Sequence, residues 1–259
     1  MVYNPAVPGP VTCRLLLLVG VLALGVSAWT QNTAAPPAPE NTPKATDPTL
    51  VTCGDRPPFA SRTVRGDTLV APDGKHRAYA EVEATALYPQ RTSGYTGPLC
   101  VNNSRLYVAA DNGDFKIRFL QEPADVENGN SLRLLDWSAD SRRLLAELGE
   151  WHYEQPGVAH SVLLYDVRYG TFQQPDLVRA LARAYGRECA LNFHVLGFDA
   201  QGKIVLEAES LSPEEEEVLG VSSCTKKKNY FTLDRASETL VSMPESPQLQ
   251  HNSRIEASK

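Results

Sequence analysis

Excess positive charge is what this sequence most plainly lacks. Its 259 residues carry 25 Lys and Arg against 31 Asp and Glu, a formal net charge of −6. That balance offers no electrostatic footprint for a phosphate backbone, which excludes nucleic acid as a partner. The motifs G-x-x-x-x-G-K-[ST], G-x-G-x-x-G, H-E-x-x-H and G-x-S-x-G are all missing, so nothing points to a nucleotide, a zinc protease site or an activated serine. No pair of cysteines has C-x2-C spacing, which argues against a thiolate zinc site. The sequence therefore assigns no catalytic residue, no metal and no cofactor. With 42% hydrophobic residues, it is nonetheless rich enough in apolar side chains to build a core.

Charge is also scarce at the N-terminus, where Arg14 is the only charged side chain before Glu40. Behind it runs an apolar stretch, Leu15–Val26, ending in Val26-Ser27-Ala28. A positive residue, a short apolar run and a small-residue end predict a secretory signal over residues 1–28. The run falls short of the roughly 20 apolar residues that span a bilayer. The alternative is an uncleaved anchor in which residues 15–28 tether the protein to the membrane. Either way the expected location is exported, periplasmic or secreted. Residues 29–49, with Ala34-Ala35-Pro36-Pro37-Ala38-Pro39, predict a disordered linker.

Cys13 lies in the expected signal, leaving Cys53, Cys100, Cys189 and Cys224. An even count in an exported chain predicts two disulfides. We favour Cys53–Cys100 with Cys189–Cys224, each local to one structural unit. A Cys53–Cys224 bond, tying the start of the fold to its end, is the alternative.

Three segments resemble one another: Leu69–Val82, Leu135–Leu148 and Leu196–Ala208. Each is a short apolar run, a turn and a second run. Asp73-Gly74 and Gln201-Gly202 put glycine where a hairpin needs a left-handed backbone, whereas Ser141 stands there in the second copy. A second hairpin follows each, through Asp111-Asn112-Gly113-Asp114, Arg168-Tyr169-Gly170 and Arg235-Ala236-Ser237. Phe115, Ile117 and Phe119 alternate with Lys116 and Arg118, as in a strand with one wet face. The expected fold is mainly β: three tandem four-stranded antiparallel propeller-like blades, closed or open, at about 65–121, 131–174 and 191–242 of a domain spanning 50–242.

The turns Ala71-Pro72-Asp73-Gly74-Lys75 and Trp137-Ser138-Ala139-Asp140-Ser141-Arg142 resemble the W-S-P-D-G-K turn of TolB-type β-propeller repeats. The resemblance implies an exported protein-binding platform. It rests on the turn alone, and three long copies depart from the usual count of four or more shorter blades.

Two stretches break the β pattern. Pro175–Gly186 and Ser212–Gly220 read as short helices in loops, the second with a capping box from Ser212 and Glu215. Residues 243–259 are polar and are expected to form a flexible tail. In four-stranded meanders the short turns share one end of the sheets. The opposite end collects residues 86–103, 149–160 and 211–227, with the links 122–131 and 173–192. Long loops on a rigid scaffold favour function, and these carry Tyr88, Tyr95, Trp151, His152, Tyr153 and Tyr185, the candidate binding residues.

The rival reading of those rings is loop packing. Glu150, His152, Glu154 and His160 could ligate a metal, but their irregular spacing suits a polar surface loop. His194, between Phe193 and Val195, reads as a strand residue. Asn102-Asn103-Ser104 is a glycosylation sequon. The expected function is an exported protein-binding or scaffold module of the cell envelope. Its expected partner is another envelope or extracellular protein, or a second copy of itself. The alternative is a secreted hydrolase or metal-dependent enzyme with its site among the same loops.

Overall fold

The computed structural model describes residues 62–87, 99–111, 113–123, 127–152, 157–234, 239–243, 245 and 247–256. The expected signal, linker, Cys53, Tyr88, Tyr95 and Tyr153 lie outside them, as does the side chain of Cys100.

Among the described residues the chain is mainly β, with fourteen strands in antiparallel sheets and two helices. The first sheet comprises β1 (Arg62–Arg65), β2 (Thr68–Val70), β3 (His76–Leu87), β4 (Leu99–Ala110) and β5 (Lys116–Gln121). The middle sheet holds β6 (Asn128–Trp137), β7 (Arg143–His152), β8 (Ala159–Asp166) and β9 (Thr171–Gln173). After helix α1 (Leu177–Tyr185) come β10 (Asn192–Phe198) and β11 (Ile204–Glu209), then helix α2 (Pro213–Leu219). Strands β12 (Asn229–Asp234) and β13 (Thr239–Met243) complete the last sheet, and β14 (Arg254–Glu256) returns to pair with β2.

Local chemistry explains the three matched turns. Gly74, Ser141 and Gly202 all adopt left-handed backbone, with φ of 69°, 59° and 73°. Asp73, Asp140 and Asp199 each accept backbone N–H groups two residues on, from Lys75, Arg142 and Gln201. That is the local bonding through which Asp favours turns. Ser141 retains a place that glycine fills elsewhere because its hydroxyl accepts the Asp73 N–H at 2.9 Å, linking the first and middle sheets. Alanine at 141 would keep the strain and lose the bond. We expect Ser141→Gly to be more stable than Ser141→Ala by about 1 kcal/mol in urea denaturation.

Burial differs between the sheets. On β7, Leu144, Ala146 and Leu148 face the first sheet, while Leu145 faces the last. On β8, Leu163 and Tyr165 point one way, Val162 and Leu164 the other. The middle sheet is thus covered on both faces, which is why its strands read as unbroken apolar runs. The outer sheets keep a wet face. Ile117, expected to be inward, is exposed on the edge strand β5, after a register shift opposite Leu106 and Tyr107.

The structure corrects several expectations. Among the described residues the sheets do not close into a propeller ring: apolar contact runs from first to middle and from middle to last, through two separate clusters. The stretches read as loops at 86–103 and 149–160 are partly strand, since β3 and β4 pair as far as Leu87↔Leu99 and β7 runs to His152. Asn102, in the sequon, is buried within β4 and inaccessible to a glycosylating enzyme in the folded chain.

The segment expected to fray is instead fastened down. Gln250 N–H donates to Phe198 O of the last sheet, Asn252 and Ser253 bond Asp136 of the middle sheet, and β14 pairs with β2 of the first. A polar strap therefore laces the three sheets together along β2, β6 and β10.

Candidate functional site

The end of the middle and last sheets that carries both helices forms a cleft. Helix α1 is started by Asp176, whose carboxylate accepts the Arg179 N–H, and stopped by Gly186 in left-handed backbone. Its Leu177, Ala180 and Leu181 join the core, leaving Val178 outward at 72% exposure.

Helix α2 has the expected capping box. Ser212 Oγ accepts the Glu215 N–H at 3.2 Å, and Glu215 accepts the Ser212 N–H at 2.7 Å. Glu215 also accepts from Asn192 Nδ2 at 3.1 Å on both oxygens. Gly157, before β8, lies so close that any Cβ there would overlap Glu215 Oε1. Burial alone would raise the Glu215 carboxyl, but the Ser212 and Asn192 hydrogen bonds bring it below the ordinary range. Val218 and Leu219 stay outward, at 51% and 57% exposure.

The Cys189–Cys224 disulfide joins the segments that follow the two helices. Cys224 N–H donates to Ala190 O beside it. Glu216 accepts from Ser223 N–H, Ser223 Oγ and Lys226 Nζ, which fixes the same loop. The result is a cleft of about 290 Å³. Trp151, Val178, Leu181, Leu211, Val218 and Leu219 contribute its apolar walls.

His160 on β8 also lines this cleft, and it leads to a polar cluster between the sheets. Glu147 on β7 is buried, and its Oε2 accepts Arg133 Nε at 3.0 Å and Nη2 at 2.5 Å. Its Oε1 accepts the Val195 N–H at 2.9 Å, with His160 Nδ1 at 3.3 Å and His194 Nδ1 at 4.0 Å. Burial opposes ionisation of Glu147. The His160 contact, the Arg133 charge and the Val195 N–H overcome it and hold the carboxyl at about 2. A carboxylate so saturated with donors makes a poor general base.

Trp151 and His152 end β7 as strand residues. The Trp151 indole lies over Gly129, where a Cβ would collide with it. Both also border a second recess of about 300 Å³ beside Gln121 and Asn130. Tyr185, the last residue of α1, packs partly buried against the core between the middle and last sheets. The structure thus brings Trp151 and His152 to the cleft and leaves Tyr185 out of its lining.

Of the residues weighed as metal ligands, Glu150, His152 and His160 line the cleft, whereas Glu154 lies outside the described residues. Sequence reasoning missed Glu147 and the outward turn of His194. The signal was a lone carboxylate inside the apolar run Leu144–Leu148.

Compared with known proteins, the chain matches no family model and no curated sequence. Among the described residues no helix is long and apolar enough to cross a membrane.

Proposed function

We propose that this protein is a binding module of an oxidising, exported compartment, and that the cleft between α1 and α2 is its recognition surface. The reading rests on one observation: three outward apolar side chains, Val178, Val218 and Leu219, rim a cleft whose walls are apolar too. Exposed apolar groups gathered at a concavity are characteristic of recognition sites. At about 290 Å³ the cleft sits at the lower limit of ligand pockets and suits one anchoring side chain. Glu150 and Glu215 line it, and Glu214 and Glu217 add negative charge to the same helix α2 as Glu215. The occupant is therefore a peptide segment of another exported protein, with an apolar anchor flanked by basic residues.

The disulfide next to the cleft supports the oxidising compartment. The turn resemblance to TolB-type repeats supports a protein-binding role carried by copies of one β unit, in this chain without a ring.

Fluorescence polarisation with a set of labelled Lys-apolar-Lys peptides tests the reading. Binding is expected to weaken with salt and to fall at least about tenfold in Leu219→Glu. Absence of any binder in the set, or a binder indifferent to Leu219→Glu, contradicts it.

A further inference from the structure

We propose that Glu147 Oε1, His160 Nδ1 and His194 Nδ1 form a binding site for a divalent transition-metal ion of the zinc class. Each of the three residues offers a ligand atom within 4.8 Å of the others', and Glu147 Oε1 lies 3.3 Å from His160 Nδ1 and 4.0 Å from His194 Nδ1. They come from β7, β8 and β10, so an ion there would clamp the middle sheet to the last.

Geometry supports the assignment. A tetrahedral ion with bonds of about 2.0–2.1 Å holds its ligand atoms roughly 3.3 Å apart. The His160–Glu147 separation is already 3.3 Å, and the His194–Glu147 separation of 4.0 Å closes with a small turn of an exposed ring. His160 Nδ1 is buried and has no hydrogen bond of acceptable direction, although Glu147 lies beside it. A buried polar atom whose one close neighbour is poorly aligned for a hydrogen bond is under-satisfied, and metal coordination would satisfy it.

The surroundings define how the carboxylate would bind. Arg133 holds Oε2, leaving Oε1 to coordinate as a single oxygen alongside its Val195 N–H. The two imidazole rings, with centroids 4.6 Å apart, select zinc, cobalt, nickel or copper over calcium or magnesium. Three protein ligands leave a further position open. His160 lines the cleft, so a donor group of an occupant could reach that position. The bland reading of the same cluster is an inter-sheet ion pair with two packed rings. It requires no metal affinity.

Titration of the full chain with Co2+, after removal of any affinity tag, separates the two. One equivalent is expected to produce the intense visible absorption of low-coordinate cobalt, reversed by a chelator and displaced by Zn2+. His194 is 42% exposed, so His194→Ala leaves the core intact while removing a ligand. Its Co2+ affinity is expected to fall at least about tenfold, since losing a ligand costs more than losing a neighbour that merely orients one. His160→Ala should behave alike, and His152→Ala should bind as the parent chain does. The melting temperature should rise with Zn2+ in the parent chain and not in His194→Ala. No cobalt spectrum from the parent chain at hundredfold excess overturns the proposal. Equal affinity in correctly folded His194→Ala overturns it as well.

Discussion

Deleting residues 250–259 is expected to abolish the stable fold. The deletion removes β14 from the edge of β2 and the Gln250 bond to Phe198. It also strips Asp136, which is only 2% exposed, of most of its donors. Asp136 Oδ1 accepts Ser253 N–H at 2.8 Å and Ser253 Oγ at 2.5 Å, and Oδ2 accepts Asn252 N–H at 2.9 Å. Hydrogen bonds to a charged group are worth about 1.5–3 kcal/mol each. Leaving a buried charge uncompensated costs about 3–5 kcal/mol. Either figure is a large part of the roughly 5–15 kcal/mol that holds a domain folded.

Ser253→Ala tests the same strap more gently, and a loss of about 2 kcal/mol is expected from its charge-assisted bond. Circular dichroism melts of both variants provide the check. A deleted chain melting within a few degrees of the parent would show that the strap contributes little.

The second large effect concerns Glu147. Replacing it with Gln leaves Arg133 facing a neutral amide and is expected to cost about 3–5 kcal/mol. The dependence on acid has a definite sign. The folded carboxyl, at about 2, lies below its ordinary 4.5, so the folded state binds the proton more weakly than the unfolded chain. This contribution, about 3 kcal/mol, is complete above the ordinary value and is lost as pH falls through about 2. Urea denaturation with a chelator present should show the gap between parent and Glu147→Gln at neutral pH narrowing below about pH 4. A gap that stays constant down to about pH 3 would rule out proton linkage at this carboxyl as its source.

Much of the local structure is readable because its causes are local. Ser212 and Glu215 sit three residues apart, so their capping box is visible in the sequence, and so are the stops at Gly186 and Gly220. The hairpin turns are legible for the same reason, from Asp73-Gly74 and Gln201-Gly202. Ser141 is harder: its left-handed backbone is steadied by a bond to Asp73 across 68 positions.

Features that depend on distant partners are invisible in the sequence or misleading there. Residues 250–253 look like a fraying tail because what orders them is a carboxylate some 116 positions earlier. Trp151 looks like a loop aromatic, yet Gly129, its partner across the β6–β7 pair, gives it a flat bed in the sheet. His194 is a strand residue, as its neighbours imply. What its side chain meets is fixed by another sheet, where Glu147 interrupts a leucine-rich run. The sequence points to the cleft only as an end of the sheets. Its walls combine Trp151, which the expectation included, with the helical side chains Val178, Val218 and Leu219, which it did not.

The lacing strap also has a bearing on biogenesis. A ribosome delivers residues 254–256 long after β2, the strand they pair with. Until they arrive, the open side of β2 is an unsatisfied template for any passing extended chain. Nascent copies, or copies terminated before β14, should accordingly be the aggregation-prone form of this protein, and anything that shields that side until β14 has been made would raise its yield.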